Sequence, residues 1–233
     1  MRHKNLFYAY FCRTMLQEII TLIKKDVQLD FRKKFSFFSV LLYVLTTVYV
    51  AYLAFKQIDL AKVWNALFWI ILIFGAIQMS IRSFASETRN RFWYTYQLVR
   101  PQSLILSKII YNSAILLIIS LLTYGLISGL MGNLIKDQMM FLATIVVGSI
   151  GFASILTMVA GIASHTDQNA TLMAILSIPL LFPFIITLMK ATEYALFGLE
   201  NGGGFTDLIA LLMGLNVMVI VMAYLLFPYL WRE

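Results

Sequence analysis

Residues 139–163, MMFLATIVVGSIGFASILTMVAGIA, contain no charged side chain along their whole length. A helix of about 20 apolar residues is long enough to cross the ~30 Å hydrocarbon core of a lipid bilayer. Because lipid offers no hydrogen-bonding partners, the backbone N–H and C=O groups of such a segment must bond one another within a helix. The stretch therefore predicts a transmembrane helix and indicates a membrane protein.

Five further segments of the chain are similarly apolar and of similar length. Hydrophobic residues make up 61% of the 233 residues and charged residues only 12%, whereas soluble domains carry about 25% charged residues. We therefore predict an all-α integral membrane protein whose transmembrane domain occupies residues 35–231 and contains six helices. The predicted spans are Phe35–Phe55, Val63–Ser86, Leu104–Ser128, Met139–Ala163, Ala170–Met189 and Leu208–Trp231.

Basic residues are distributed unequally between the two sides of this predicted bundle. Of the 18 Lys and Arg residues, four fall on one side, which leaves 14 on the side of the two termini. Cytoplasmic segments of membrane proteins carry an excess of Lys and Arg, so both termini are predicted to be cytoplasmic. The same rule explains the net charge of +7 without a nucleic-acid partner. The four residues on the far side are Lys56, Lys62, Lys136 and Lys190.

Residues 1–34 precede the first span and form an N-terminal segment, which we place in the cytoplasm. Within it, residues 15–33 have an amphipathic pattern typical of a helix that lies along the membrane interface. Two interpretations follow: the helix only anchors the first span, or it docks a partner or braces the bundle. Its apolar positions at helical spacing are Leu16, Ile19, Ile20, Ile23, Val27 and Phe31.

Small and polar residues within the spans indicate how the helices pack. A small residue occurs at every fourth position of the fourth span, which lets helix backbones approach closely. We favour packing of this stripe within one molecule over packing against a second copy in a homodimer. The stripe consists of Ser149, Ala153, Thr157 and Gly161. The polar residues that either line a path or, more commonly, form interhelical hydrogen bonds are Gln78, Asn112 and Asn216.

Several kinds of chemistry have no recognisable motif in this chain. The sequence has no Walker A loop for ATP and no His or Cys pattern of a zinc site, so we predict no metal and no directly bound cofactor. No His or Lys lies deep enough to activate a serine nucleophile, which argues against an enzyme. No acidic residue lies near the centre of a span, which weakens proton-coupled transport. His165, beside Asp167, could ligate a metal or haem iron, but a lone loop histidine is usually an ordinary polar residue.

The segment between the second and third spans is both charged and aromatic. Arg82 and Lys108 are predicted at the membrane interface at its two ends, and Glu87 is placed to pair with either of them. Pro101 ends any short helix before the third span, because the residue before a proline disfavours the α region. The segment is either an ordinary positive-inside loop or a short cytoplasmic helix held against a partner. Its aromatic residues, which favour the interface, are Phe92, Trp93, Tyr94 and Tyr96.

These residues resemble a known family of membrane proteins. The pattern Phe84-x-x-Glu87, then Leu98-Val-Arg-Pro101, then Lys108 resembles ABC-2-type transporter permeases, and most closely the haem exporter protein B (CcmB) family. The stretch Leu176-Ser-Ile-Pro-Leu-Leu-Phe-Pro-Phe-Ile185 resembles the fifth span of that family, with its two prolines four residues apart. The amphipathic N-terminal helix, the six spans and the chain length agree, so the resemblance covers nearly the whole chain.

The resemblance implies a permease subunit of haem export and delivery for c-type cytochromes, in the bacterial inner membrane and without an ATPase of its own. Residues 87–103 are then the coupling segment that sits on the ATPase. Pro179 and Pro183 either kink the fifth span for gating or shape its packing. The residues implied in coupling are Glu87, Arg89, Arg91, Trp93, Tyr96, Arg100 and Pro101.

The same resemblance implies a set of partners. A CcmA-like subunit binds and hydrolyses ATP, a CcmC-like membrane subunit handles haem, and a small CcmD-like membrane subunit joins them. A CcmE-like chaperone carries the haem, which is the implied substrate. Two alternatives are an ABC-2-type permease that exports a lipid, glycan or drug, and a membrane scaffold that transports nothing. ATP-dependent movement of substrate in vesicles that contain the ATPase distinguishes a permease from a scaffold.

Overall fold

A computed structural model describes residues 2–33, 35–55, 60–85, 99–164, 169–198 and 202–230. Within these ranges the chain is all-α, which confirms the predicted fold class. One helix from the N-terminal segment precedes six long apolar helices. The helices are α1 (Arg2–Lys33), α2 (Phe35–Phe55), α3 (Ala61–Ala85), α4 (Pro101–Met131), α5 (Gln138–Ala163), α6 (Asn169–Phe197) and α7 (Gly202–Leu230).

The six helices α2 to α7 correspond to the six predicted spans. Each is long and apolar enough to cross a bilayer, with a mean hydropathy between 1.7 and 2.5. The largest departure from the prediction is in α6, which continues beyond Met189 to Phe197. The charges of Lys190 and Glu193 do not end this helix, because Lys190 is exposed and Glu193 only half-buried, so neither is forced into the core.

Helix α5 is the centre of the bundle. It packs against α3, α4, α6 and α7, and every residue from 151 to 161 is buried. The predicted stripe of small residues is enclosed within the molecule, since Ser149, Ala153, Thr157 and Gly161 are all buried. Small side chains at this spacing allow four neighbouring helices to approach α5 closely.

Two polar contacts fix the alignment of α4 with α5. Asn112 Nδ2 donates to Thr157 Oγ1 at 2.8 Å, and the hydroxyl oxygens of Ser120 and Ser149 are 3.1 Å apart. The partner on α5 moves toward its N-terminus as the residue on α4 moves toward its C-terminus, so the two helices are antiparallel. Asn216 Nδ2 on α7 donates to the Val147 carbonyl at 3.1 Å. These polar residues therefore form interhelical hydrogen bonds.

Aromatic side chains fill the space between α3, α5 and α6. The ring centroids of Trp69 and Phe152 are 5.9 Å apart, and those of Phe152 and Phe184 are 5.3 Å apart. Glycine on α5 makes room for them: a Cβ at Gly151 would overlap the Phe184 ring, and one at Gly148 would lie 2.9 Å from Trp69 Cη2. The absence of a side chain at these two positions therefore sets how closely α5 meets its neighbours.

Helix α1 packs on α4 and α2. Ile19 and Leu22 are buried, whereas Leu16 and Ile20 are 54% and 62% exposed. The predicted apolar stripe of α1 is thus divided between a bundle-facing and an outward-facing side, because acidic side chains take up part of the contact with α4. The helix also begins at Arg2 rather than near residue 15. These contacts favour bracing of the bundle over simple anchoring of the first span.

Candidate coupling site at the start of the third span

The third span begins where the backbone changes from extended to helical. Arg100 is extended, with φ −69° and ψ 136°, and Pro101 occupies the first turn of α4. Proline suits the first turn because its missing N–H needs no partner there and its fixed φ is already helical. It also holds the preceding residue extended. The local sequence therefore fixes where the connection from α3 ends and α4 begins.

The first three turns of α4 are hydrogen-bonded to α1. Ser103 Oγ donates to Glu18 Oε2 at 2.8 Å, and Tyr111 OH donates to Asp30 Oδ2 at 2.6 Å. Both acceptors are carboxyl groups, and hydrogen bonds to ionised groups are shorter and stronger than those between neutral groups. Helix α1 is therefore fastened to α4 at two points that are about 12 Å apart along α4 and about 18 Å apart along α1, at a rise of about 1.5 Å per residue.

Lys108 lies between these two hydrogen bonds and joins three helices. The residue is 2% exposed. Its Nζ donates to the Ser83 carbonyl on α3 at 2.9 Å and lies 3.7 Å from Asp26 Oδ2 on α1. A buried ammonium is costly unless an opposite charge and hydrogen-bond acceptors surround it, and Asp26 and Ser83 supply both. Lys25 lies 3.5 Å from the other oxygen of the Asp26 carboxylate.

We call this arrangement the α1–α4 clamp. It links one face of the amphipathic helix to the first three turns of the third span, and its lysine reaches α3 as well. The clamp consists of Glu18, Asp26, Asp30, Ser103, Lys108 and Tyr111.

Three of the predicted site residues lie at or within the first turns of α4, namely Arg100, Pro101 and Lys108. Lys108 is buried inside the protein, where Asp26 provides a partner. Its predicted position at the membrane interface stays a prediction. Arg82 belongs to α3. The predicted residues that lie outside the described ranges, and stay predictions, are Glu87, Arg89, Arg91, Trp93, Tyr96 and His165.

Sequence reasoning missed the acidic half of the clamp. Asp26 and Asp30 are one turn apart and Glu18 lies about two turns earlier, so the three carboxyl groups share one side of α1. This spacing is visible in the sequence, because residues three and four apart on a helix are neighbours. The sequence could not show that this side faces α4, because an acidic helix face is equally suited to water or to a partner.

The two prolines of the fifth span lie inside a continuous helix. Helix α6 runs through both Pro179 and Pro183. Proline has no N–H, so the carbonyls four residues earlier, those of Ile175 and Pro179, lose their helical donors. The Thr187 hydroxyl donates to the Pro183 carbonyl at 2.9 Å. A role of the two prolines as kinks for gating stays a prediction.

These features define the class of protein. Across the described residues, six membrane-length apolar helices follow an amphipathic helix that is clamped to the third span, which is the architecture of an all-α membrane permease. A family model described as "CcmB protein" matches residues 17–229. The chain therefore belongs to the CcmB family, and the predicted family is confirmed. No curated protein matches the chain.

Family membership connects the chain to haem transport and cytochrome c biogenesis, as a multi-pass membrane subunit of a transporter and not an enzyme. The matched residues begin one position before Glu18. Every residue of the α1–α4 clamp consequently lies within the part of the chain that the family model covers.

Proposed function

We propose that the protein is the permease subunit of an ABC transporter that exports or delivers haem for c-type cytochromes, driven by ATP hydrolysis on a separate subunit. In this proposal the chain resides in the bacterial inner membrane, with both termini, residues 87–103 and the α1–α4 clamp on the cytoplasmic side. The clamp is the observation that carries the proposal. It fastens the start of α4, where residues 87–103 end, to two other helices.

The clamp provides a route for motion from the ATPase into the bundle. A displacement of residues 87–103 by the ATPase moves α4 at Pro101. The contacts of Lys108 transmit that displacement to α1 and α3. Further along α4, the contacts of Asn112 with Thr157 and of Ser120 with Ser149 pass it to α5. Because packed interiors shift between discrete arrangements rather than deform continuously, displacement of α4 repositions α5 against α3, α6 and α7.

The partners in this proposal follow from family membership. A CcmA-like subunit supplies ATP hydrolysis, since the sequence of this chain contains no Walker A loop. CcmC-like and CcmD-like membrane subunits and a CcmE-like chaperone handle haem beside the permease. Haem is the substrate of the assembled complex.

Co-expression with the CcmA-like ATPase tests the coupling assignment. Glu87→Lys and Pro101→Ala should both reduce association with the ATPase and production of c-type cytochromes, while the protein still inserts into the membrane. Lys136→Gln is the matched control, because Lys136 is exposed in the loop between α4 and α5, at the other end of α4. If both coupling variants keep full ATPase association and full cytochrome c production, residues 87–103 do not couple the two subunits.

A second measurement tests the substrate. Vesicles that contain the whole complex should release or move haem only when ATP is hydrolysed, and loss of this chain should abolish cytochrome c production. If the complex in vesicles hydrolyses ATP but moves no haem, and cells that lack this chain still make c-type cytochromes, the protein exports another substrate.

A further inference from the structure

The end of α6 and the beginning of α7 enclose a groove at the end of the bundle opposite the α1–α4 clamp. Its volume is about 550 Å³. The backbone N–H of Asp137, at the start of α5, donates to the Ala195 carbonyl at 3.0 Å. The end of α6 therefore lies beside the start of α5 and away from the start of α4, which is antiparallel to α5.

Two helix faces line this groove. On α6 its residues recur at positions 190, 193, 194 and 197, and on α7 at positions 204, 207, 208 and 211. Both sets follow the i, i+3, i+4, i+7 spacing of one helix face, so one face of each helix lines the groove. We call it the α6–α7 groove. The lining includes Lys190, Glu193, Tyr194, Gly204, Asp207 and Leu211.

The groove carries one cation and two carboxylates. Within the ranges that the structure describes, no ion pair joins Lys190 to Glu193 or to Asp207. Lys190 and Asp207 are exposed and Glu193 is half-buried. Charged residues within membrane-spanning helices are rare and mark binding sites or transport paths. This group therefore offers partners for both a negative and a positive charge of a ligand.

The charged and the apolar residues of the groove lie at different depths below the end of the bundle. At a rise of about 1.5 Å per residue, Glu193 lies about 6 Å and Lys190 about 10 Å below the last residue of α6. By the same rise, Asp207 lies about 8 Å and Leu211 about 14 Å below the first residue of α7. By backbone position, the order from the end of the bundle inward is therefore Glu193 and Asp207, then Lys190, then Leu211.

This order is complementary to one class of molecule. An aminophospholipid in a bilayer places its primary ammonium outermost, its phosphate below that, and its acyl chains deepest. Leu211, the deepest of these residues, is 53% exposed, which leaves apolar surface for the start of an acyl chain. A Cβ at Gly204 would collide with the Tyr194 hydroxyl, so the Tyr194 side chain reaches from α6 to α7 at this end of the groove.

We propose that the α6–α7 groove binds a zwitterionic phospholipid with a primary ammonium, its phosphate beside Lys190 and its ammonium between Glu193 and Asp207. A primary ammonium donates hydrogen bonds to carboxylates, whereas the quaternary ammonium of phosphatidylcholine cannot. Phosphatidylglycerol has no ammonium and would place its negative charge near two carboxylates. The expected order of retention is phosphatidylethanolamine, then phosphatidylcholine, then phosphatidylglycerol. This site does not depend on the proposed transport of haem.

Native mass spectrometry of the full chain tests the proposal. The detergent-purified protein is offered equal amounts of the three lipids with identical acyl chains. Wild type should retain phosphatidylethanolamine over phosphatidylcholine about threefold, as expected for partly exposed charge interactions. The variant Glu193→Gln/Asp207→Asn should lose that preference and retain more phosphatidylglycerol. Lys190→Gln should lower retention of all three lipids.

The control variant is Lys62→Gln, which removes an exposed lysine near the start of α3, outside the groove. It should leave lipid retention unchanged. Equal retention of phosphatidylethanolamine and phosphatidylcholine by wild type overturns the proposal, as does an equal effect of Lys62→Gln and Lys190→Gln. Soluble phosphoethanolamine that displaces the lipid at equal concentration would show a headgroup ligand from water and overturn the lipid assignment. Haem retained in place of lipid, and lost in Lys190→Gln, would overturn it too.

Discussion

Two lysines of the membrane-length helices, Lys108 on α4 and Lys190 on α6, have opposite surroundings. Lys108 is 2% exposed and lies between the Asp26 carboxylate and the Ser83 carbonyl. Lys190 is exposed in a groove beside Glu193, with which it forms no ion pair within the described chain. A buried ammonium is tolerated only where the fold supplies its partners, so Lys108 is part of the bundle's own structure.

The two ends of the bundle therefore differ in what their charged residues do. At the start of α4, charges are satisfied internally and join three helices, which suits transmission of motion. At the end of α6, charges remain accessible, which suits binding of a ligand. If both lysines contribute equally to the free energy of unfolding, the two ends of the bundle do not differ in this way.

The largest expected effect is that of Lys108→Glu. The variant places a carboxylate beside Asp26 and the Ser83 carbonyl, and loss of a buried, compensated charge costs about 3–5 kcal/mol. Denaturant unfolding of the protein in detergent micelles measures this loss. The matched change, Lys190→Glu, should cost less than about 1 kcal/mol because its charge is exposed. Similar losses for the two variants would remove the distinction between the two regions.

A smaller effect is expected in the core that connects the two regions. Gly151→Ala places a methyl group against the Phe184 ring, and overpacking of this kind costs about 1–3 kcal/mol. Gly125→Ala is the control, since a Cβ there has no atom within 4 Å. The same unfolding measurement should show no loss for Gly125→Ala. A neutral Gly151→Ala would mean that α5 and α6 adjust freely, so that the two ends are less rigidly connected.

The sequence predicted the spans well because membrane thickness and backbone hydrogen bonding leave few alternatives to an apolar helix of fixed length. The predicted span Phe35–Phe55 has the same bounds as α2. The end of α6 was misplaced at Met189 because Lys190 and Glu193 resembled the start of a loop. Their charges are compatible with a helix here, since they line a groove rather than the core.

The candidate site was only half predicted from the sequence. Pro101 and Lys108 follow recognisable local rules about helix starts and membrane charges. Asp26 does not, because its partner is 82 positions away in the sequence, counted from 26 to 108. No local pattern specifies which helix an acidic face of α1 will meet. Long-range packing of α1 on α4 decides that, and it became visible only in the three-dimensional arrangement.

A moderate and local effect is expected for Tyr111→Phe. The change removes the hydroxyl that donates to Asp30 but keeps the ring, and a hydrogen bond to a charged group contributes about 1.5–3 kcal/mol. Hydrogen exchange should rise in α1 near Asp30, because one of its two hydrogen-bonded attachments to α4 is lost. The control is Tyr229→Phe. Tyr229 is 73% exposed, so this variant should leave hydrogen exchange in α1 unchanged. Unchanged exchange in α1 would show that the clamp does not hold this helix.

The smallest expected change in the free energy of unfolding is that of Glu193→Gln, and its dependence on lipid distinguishes the groove from the clamp. Glu193→Gln should change the unfolding free energy by less than about 0.5 kcal/mol without lipid, as is usual for an accessible side chain. Added phosphatidylethanolamine at ten times its dissociation constant should stabilise wild type by about 1.4 kcal/mol through preferential binding to the folded state, and the variant by less. Glu18→Gln, which alters the clamp, should lower stability equally with and without lipid, because the acceptor of the Ser103 hydroxyl is weakened in either case. A lipid-dependent effect at Glu18, or a lipid-independent one at Glu193, would contradict the division between an internal clamp and an accessible groove.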